Sequence, residues 1–365
     1  MKQMRGASGR YRCGAAVASW FIVGQIFCVP ALMAQTHERA LLTKISGRGD
    51  PHTIGLTTAA GTDQWIASDI SAVIADGQET GPRGEMALRV AVTVGMGGIQ
   101  DIRDLLTKPD VDMAIVPAVL FDFVRNTQVS NVVSQKIAYI VPLYKEELHI
   151  IAGHSIQNIA DLSGKAVNLG VSGGATDILG RELLNKMNIR FWPVNISQQD
   201  ALEKIRAGEL AATLTIEGKP LSWLSEYKRD AGFHLVPIST SLVADDIYSP
   251  AVFTDGDYPN LIAPGSAIDT VAVLAVLLAY DWPERSSRRL LLQNFVHKFF
   301  SHFAELATVP NHPKWKEVNL SAVVQGWRRF GPAENWLRQN SDDNSQAGFV
   351  QSGAALRSDK QRQRK

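Results

Sequence analysis

The chain has 365 residues, 45% of them hydrophobic and 20% charged, and its formal net charge at pH 7 is +1. This length and apolar content are sufficient for one large or two medium domains. The nearly balanced charge excludes the strongly basic surface typical of nucleic-acid-binding proteins, so no nucleic-acid partner is expected. Both cysteines, Cys13 and Cys28, lie near the N-terminus. The remaining chain has no thiol for a disulfide, a metal site or covalent catalysis.

The first 34 residues have the pattern of a secretory signal peptide. Four basic residues precede an apolar stretch from Cys13 to Val29, and small residues around Ala31 and Ala34 offer a cleavage site. An uncleaved membrane anchor is the alternative, although the apolar stretch is at the short limit for a span. We therefore predict that residues 1–34 are a cleaved signal and that the protein is located in the periplasm.

Short apolar runs then alternate with small-residue turns and helical patterns. Strand patterns occupy residues 52–56, 88–94 and 111–116, and apolar spacings typical of helices follow the first two. Pro117 stops the third run. Repeated strand–turn–helix units predict parallel strands joined by helical crossovers.

The middle of the chain is less regular. Residues 137–141 and 148–152 are predicted as two strands separated by a loop at 142–147, and we interpret Glu146 and Glu147 in that loop as solvated charges. Further strands are predicted at 166–169, 211–216 and 234–238, with a helix at 201–207.

The C-terminal third contains one ambiguous segment and one strongly helical one. Residues 271–280 are apolar throughout and fit either a helix or a buried strand, whereas 284–306 have the spacing of a helix. The large aromatic residues from Trp315 to Trp336 are expected in a last helical segment, packed in the core rather than forming a ligand cage. Residues 341–365 are polar and are predicted to form a disordered tail.

Four small-residue turns follow predicted parallel strands. They comprise residues 57–63, 95–98, 172–177 and 217–220. In open α/β sheets, ligands bind beyond the carboxyl ends of the strands. The third turn opens a helix, whose free amides and dipole favour a carboxylate or a phosphate. An ordinary helix start capped by Ser172 or Thr176 is the alternative for this turn.

Motifs for catalysis and metal binding are not evident. The eight histidines show neither H-x-x-x-H nor H-E-x-x-H spacing, and no G-x-S-x-G motif is present. The third turn matches neither nucleotide-binding fingerprint. We therefore expect a binding protein rather than an enzyme, with no cofactor and no metal.

The order of these turns resembles the solute-binding proteins of the TAXI branch of TRAP transporters, which have the type 2 periplasmic-binding-protein fold. The most specific matches are Asp161–Lys165 with Gly170–Asp177, and then Gly218–Pro220. The segments 112–116 and 143–149 are also similar to their family counterparts. The similarity extends from about residue 52 to residue 240 and, more weakly, to residue 306.

The resemblance implies an α/β fold with two lobes, each a mostly parallel sheet flanked by helices, and a ligand cleft between them. The expected division is 35–147 with 235–340 for the first lobe and 148–234 for the second. The chain is expected to cross between the lobes near 143–148 and 234–239, and the lobes to close on the ligand by hinge motion.

The implied function is that of an extracytoplasmic receptor for a small carboxylate-containing or amino-acid-like solute, which it delivers to the permease subunits of a TRAP-type transporter. A monomer is expected. The expected ligand-binding residues are Thr58, Gly61, Thr62, Asp63, Gln64, Gly97, Gly98, Pro117, Ser172, Gly173, Gly174, Ala175, Thr176, Gly218, Lys219 and Pro220.

Specific roles follow for the third turn and the segments near it. The Ser172 hydroxyl and the amides of residues 174–176 are expected to hold a carboxylate through charge-assisted bonds, and Asp177 to point away as a helix-start charge. Lys219 pairs with a second carboxylate or is a solvated surface lysine. Trp65 is expected to pack in a helix core rather than against the ligand.

The first two turns depart from the family pattern. The first turn continues as Asp63-Gln64-Trp65 where the family has two tyrosines and a proline, and Asp63 or Gln64 would contact an amine or a hydroxyl. The second turn is Gly95-Met96-Gly97-Gly98 instead of Thr-Gly-Gly-Ser. The rival functions are a binding protein of an ABC-type importer, a periplasmic ligand sensor, and a transferase, of which the last is disfavoured by the missing catalytic cluster.

Overall fold

The structure is a computed structural model that describes residues 52–76, 88–125, 130–229, 231–239, 247–308 and 310–340. The predicted signal segment 1–34 and the predicted tail 341–365 lie outside these residues. The strands are β1 (Thr53–Thr58), β2 (Arg89–Val94), β3 (Met113–Pro117), β4 (Ile137–Ala152), β5 (Ala166–Asn168), β6 (Trp192–Val194), β7 (Ala212–Glu217), β8 (His234–Leu235), β9 (Ser249–Thr254) and β10 (Ala267–Tyr280). The helices are α1 (Thr62–Asp76), α2 (Ile99–Thr107), α3 (Ala118–Arg125), α4 (Ser130–Lys136), α5 (Ala175–Lys186), α6 (Gln198–Arg206), α7 (Ser222–Ser225), α8 (Ser287–Ser301), α9 (Phe303–Leu306) and α10 (331–340).

The strands form one sheet in the order β2-β1-β3-β10-β4-β7-β5-β6, with β8 beside β4 and β9 beside β10. β1 is parallel to both β2 and β3 in one half, and β5 is parallel to both β6 and β7 in the other. The long strands β4 and β10 pair antiparallel in the centre. The predicted fold class, two mostly parallel α/β lobes flanked by helices, is confirmed.

Strand β4 corrects the prediction of two strands separated by a loop at 142–147. Its first residues pair with the end of β10, and its last six pair with β7. The chain continues as a strand because Leu143 and Tyr144 are both buried, which places the segment inside the molecule. Strand β4 therefore belongs to both halves of the sheet.

Strand β10 resolves the ambiguous apolar segment at 271–280. It lies between β3 and β4, and nearly every residue from Thr270 to Tyr280 is buried. A central strand covered on both faces has an unbroken apolar sequence, so the alternation that identifies a strand is missing.

The C-terminal helices are shorter than predicted. The helical pattern at 284–306 forms α8 and α9, with His302 between them. The aromatic segment is not one helix, since Trp315 lies in a 3-10 turn at Pro313–Glu317 and only 331–340 is α-helical. Trp315 and Phe330 are fully buried, which agrees with the predicted core packing.

Two groups of buried apolar side chains hold the halves together. The larger group spans both halves of the sheet. The smaller group joins Leu202 and Leu224 with Phe253, Tyr258 and Ile262. The segment 253–262, assigned to the first lobe from sequence, thus packs on the second, while the exact lobe limits stay a prediction. Among the described residues, no helix has both the length and the apolar character to cross a membrane.

Candidate functional site

The turns after three strands meet the ends of β3 and β7 at one cavity of about 210 Å³ between the two halves of the sheet. The first half contributes the turns after β1 and β2 and the end of β3, and the second half the turn after β5, the start of α6 and the end of β7. The lining residues are Ala59, Ala60, Asp63, Gly95, Met96, Gly97, Gly98, Pro117, Glu146, Gly170, Val171, Gly174, Ala175, Thr176, Ile196, Ser197, Gln198, Thr215, Ile216 and Glu217. The predicted convergence of small turns at strand ends is therefore observed for the first three turns, whereas only Glu217 of the fourth predicted turn lines the cavity.

Two of the helices that begin at this cavity, one from each half, start without a side-chain cap. Gly98 precedes α2 and Gly174 precedes α5, and neither helix start has a side-chain cap. Gly98 has φ +70°, and a Cβ placed on it would lie 3.0 Å from the Ala175 nitrogen. Glycine therefore permits the second turn to approach the third, and the two helix starts bring backbone amides to the same space.

The structure brings only part of the predicted site into this cavity. The predicted residues that line it are Asp63, Gly97, Gly98, Pro117, Gly174, Ala175 and Thr176. Gly61, Thr62 and Pro220 line a neighbouring cavity of about 190 Å³, and Lys219 lines a third. The remaining predicted residues, Thr58, Gln64, Ser172, Gly173 and Gly218, line none of these three cavities.

Hydroxyl groups in the turns mostly join the elements to one another. The Ile216 amide donates to Thr176 Oγ1 at 3.0 Å, which fixes α5 against β7. Thr62 Oγ1 donates to the Gly218 carbonyl at 2.7 Å, which joins the first turn to the fourth. Ser172 is exposed, so the structure does not place its hydroxyl at the cavity as the carboxylate hypothesis requires.

Asp177 points away from the cavity, as predicted. Its carboxylate accepts bonds from the Gly173 amide at 3.0 Å, from Arg181 Nε at 2.7 Å and from Asn195 Nδ2 at 3.1 Å. Burial raises the pKa of Asp177, but these bonds outweigh it and hold the pKa below its usual value. The negative charge of Asp177 is therefore paired with Arg181 in the same half of the protein, not with a group in the cavity.

Two further expectations need correction. Lys219 Nζ donates to Asp257 Oδ2 at 2.8 Å and to the Val252 carbonyl at 2.6 Å, so it is neither a partner for a ligand nor a freely solvated lysine. Trp65 is 56% exposed, which contradicts packing in a helix core. Helix α1 buries its Ile66 face, and the Trp65 ring lies at the edge of the neighbouring cavity beside Trp223.

Asp63, Glu146 and Glu217 form an acidic floor of the cavity, and sequence reasoning predicted only Asp63 as a ligand-binding residue. Asp63 and Glu146 are 4% and 3% exposed, so the interpretation of Glu146 as a solvated charge is wrong. Gly61, at φ +85°, leaves room for Glu217, because a Cβ there would lie 2.1 Å from Glu217 Oε2. The mostly apolar segments 137–144 and 148–152, on either side of the charged residues 145–147, were the signal that Glu146 is in a buried strand.

Burial dominates the electrostatics of this floor. Desolvation raises the pKa of Asp63 to about 7, with Glu217 and Asp101 adding to the rise and the hydrogen bond from Tyr144 opposing it. Desolvation likewise raises the pKa of Glu217 to about 7 and that of Asp101 to about 6. The pKa of Glu146 is also raised, first by desolvation and then by Asp63 and Glu217.

The adjacent carboxylate Glu147 has a different environment. It accepts a bond from buried Lys314 Nζ at 2.6 Å and another from the Lys219 amide at 2.9 Å. Glu147 therefore has a structural cation, whereas none of the described residues places a cation within bonding distance of Glu146. The described residues contain no group of three or more His, Cys, Asp or Glu arranged to hold a metal ion.

Residues 54–325 match the NMT1-like family. Because the match covers most of the chain, the protein belongs to this family.

Solved structures with a similar fold were also found. The alkanesulfonate-binding protein SsuA from Xanthomonas axonopodis pv. citri, bound to MOPS, is 14% identical, with 71% of this chain and 75% of that chain covered and a TM-score of 0.42. The effector-binding domain of QuiR in complex with shikimate is 12% identical, with 69% and 97% covered and a TM-score of 0.41. YhfZ from Shigella flexneri is 14% identical, with 76% and 99% covered and a TM-score of 0.40. Similarity at this level identifies no shared ligand.

Proposed function

We propose that this protein is an extracytoplasmic receptor that binds a small carboxylate-containing solute and delivers it to a TRAP-type membrane permease. The observation that carries the proposal is a cavity between the two halves, lined by the turns after β1, β2 and β5 and by the end of β7. Ligands of open α/β sheets bind at such strand ends. A volume of about 210 Å³ is below the usual drug-sized range of about 300–1,000 Å³, which favours a small solute.

The two helix starts support an anionic group on that solute. Helices α2 and α5 begin at the cavity without side-chain caps. Amides at a helix start, together with the positive end of the helix dipole, stabilise a carboxylate. We assign the carboxylate contact to the backbone of residues 175–176, without the Ser172 hydroxyl and without the Gly174 amide, which already donates to the Val171 carbonyl at 3.0 Å.

The expected activity is reversible binding without turnover. Export to the periplasm rests on the signal-peptide pattern of residues 1–34. The TRAP assignment rests on the sequence resemblance of the third turn and of Gly218–Pro220.

Ligand screening by thermal shift tests the binding proposal. A solute that binds only the native state raises the melting temperature as its concentration increases. We expect one or more carboxylates, amino acids or sulfonates to do so. Gly174→Val should abolish the shift, because a Cβ at Gly174 would lie 3.0 Å from the Met96 carbonyl oxygen.

Ser172→Ala is the matched control, since Ser172 lies in the same turn but does not line the cavity. It should leave the shift unchanged. A normal response of Gly174→Val to the same solute would contradict the proposed site.

The transporter class is tested by uptake into proteoliposomes. If the proposal is correct, a TRAP-type permease imports the identified solute only when this receptor and a sodium gradient are both present. Uptake that requires ATP and an ABC-type importer would assign the receptor to the alternative class.

A further inference from the structure

The cavity is acidic at one end and carries no compensating charge. Three of its lining residues are acidic, namely Asp63, Glu146 and Glu217, and none is lysine, arginine or histidine. A carboxylate solute placed against this floor would be repelled by any of the three that is ionised. The proposed function therefore leaves one end of the cavity unexplained.

Glu146 provides the observation that points to a ligand. Its side chain is 3% exposed and lines the cavity, and its Oε2 atom has no hydrogen-bond partner within the described part of the chain. A buried carboxylate oxygen without a partner destabilises the protein unless a donor is supplied. Since the lining supplies none, the donor is expected from the solute.

We propose that Glu146, together with Asp63 and Glu217, binds a protonated amine of the solute. An ammonium group offers three donors, which matches three carboxylates at one end of a small cavity. With the carboxylate held at the helix starts, the solute is a zwitterion of the amino-acid type. This inference rests on the proposed function for the carboxylate end only.

The surrounding charges agree with an organic cation. The carboxyl groups near the floor also include Asp101, and the Tyr144 hydroxyl donates to Asp63. The cation that most influences Glu146 is Lys314, which is already bonded to Glu147 and Glu317. The floor therefore retains an excess of negative charge.

A metal ion fits this floor less well than an amine. The three carboxyl groups do not form an arrangement that could hold a metal, and no such arrangement occurs elsewhere in the described residues. An ammonium group tolerates partners at ordinary hydrogen-bond distances, whereas a metal ion requires its oxygen ligands at about 2.0–2.6 Å.

Without a solute, the carboxyl groups of this floor have a different protonation state. Because desolvation raises the pKa of all three carboxyl groups, and repulsion by neighbouring carboxylates raises the pKa values of Asp63 and Glu146 further, the empty floor holds protons near neutral pH. A bound ammonium ion favours the ionised form and releases those protons. Binding of a cation therefore strengthens as the pH rises, whereas binding of an anion to the protonated floor strengthens as the pH falls.

The test uses methylammonium and acetate as separate probes of the two ends. Methylammonium stays protonated through pH 8, because alkylammonium groups ionise near the lysine value of about 10.4. At equal ionic strength and about 50 mM probe, we expect methylammonium chloride to raise the melting temperature of the whole protein by about 2 °C relative to potassium chloride. The shift should be larger at pH 8 than at pH 6.5.

Glu146→Gln should lose the methylammonium shift while remaining folded, because it only replaces an unpartnered oxygen. Glu217→Gln provides a second variant with the same expectation. Glu203→Gln, an exposed residue on α6, is the matched control and should keep the shift.

The outcomes for the two probes separate this inference from the proposed function. No methylammonium shift, or a shift that persists in both Glu146→Gln and Glu217→Gln, overturns the inference. An acetate shift without a methylammonium shift overturns it and leaves carboxylate binding intact. A methylammonium shift without an acetate shift supports the inference and contradicts the part of the proposed function that has the cavity bind a carboxylate.

Discussion

Gly98 shows how one residue controls the distance between the two halves. Its φ of +70° belongs to the left-handed region, and the space where a side chain would begin is 3.0 Å from the Ala175 nitrogen and 3.3 Å from a Leu120 methyl carbon. Both the conformation and the close approach therefore require glycine. The closed cavity depends on this contact between the second and third turns.

We predict that Gly98→Ala weakens solute binding at least tenfold, as measured by titration calorimetry with the solute identified by thermal shift. The added methyl group must displace α5 or keep the halves apart. Gly208→Ala is the matched control, because Gly208 has φ +74° with nothing within 4 Å of its Cβ position. Gly208→Ala should lose about 1–2 kcal/mol of stability from the left-handed conformation, and Gly98→Ala at least as much, because its ψ of −137° belongs to a region that is essentially restricted to glycine.

Equal loss of affinity in Gly98→Ala and Gly208→Ala would show that strain, rather than the contact across the cavity, explains the effect. Unchanged affinity in Gly98→Ala would show that the two turns do not need to touch.

At the scale of elements, a buried ion pair attaches the C-terminal 3-10 turn to β4. Lys314 and Glu147 have side chains 1% and 3% exposed, and Lys314 Nζ lies 2.6 Å from Glu147 Oε1. Lys314 also bonds Glu317 at 2.8 Å within its own turn. A buried pair adds little net stability, but removal of one partner leaves an uncompensated charge.

We therefore predict that Lys314→Met lowers the free energy of unfolding by about 3–5 kcal/mol, measured by urea denaturation. Glu147→Gln combined with Lys314→Met should restore most of the loss, since the buried charge is then absent. Additive losses in the double variant would contradict a direct pairing of these residues.

Sequence patterns predicted the elements whose residues repeat regularly and missed those set by distant contacts. The parallel strands β1, β2 and β3 and the turns after them followed from local alternation and small residues. Strand β4 was divided because Lys145, Glu146 and Glu147 look like a loop, and only the neighbours β7 and β10 make them a strand. Glu146 was missed as a member of the acidic floor for the same reason.

The site was predictable where it depends on the backbone and not where it depends on side-chain direction. Gly97, Gly98 and the 174–176 segment line the cavity as predicted. Ser172 and Lys219 have suitable chemistry, but the turn directs Ser172 to solvent and Asp257 binds Lys219. A sequence pattern specifies which residues are in a turn but not which of them face the opposite lobe.

At the scale of the whole molecule, the buried acids make stability depend on pH. Asp63 and Glu217 have pKa values of about 7 in the folded protein, against ordinary values of 3.8 and 4.5. From about pH 6.5 to 8, the folded protein releases protons that the unfolded chain has already lost, so stability falls as the pH rises. His149, His234 and His312, whose pKa values are lowered by burial, act in the opposite direction below about pH 6.5.

We predict that the solute-free protein loses about 1–2 kcal/mol of stability between pH 6.5 and 8, observed as a lower melting temperature. Asp63→Asn combined with Glu217→Gln should flatten this dependence. Glu203→Gln should retain it. A melting temperature that is equal or higher at pH 8 in the unchanged protein would refute the raised pKa values.

The long strands β4 and β10 also determine how the protein deforms. Lobes joined by flexible loops rotate about a hinge point with little resistance. Lobes joined by two hydrogen-bonded strands, as here, can separate only if the strands bend along several residues. Their ladder shifts register between Leu274 and Val276, and such irregularities are places where a sheet bends most easily. Separation of the lobes therefore strains the sheet itself. The affinity for a solute is then set partly by the elasticity of two strands, of which only β4 lines the cavity, through Glu146.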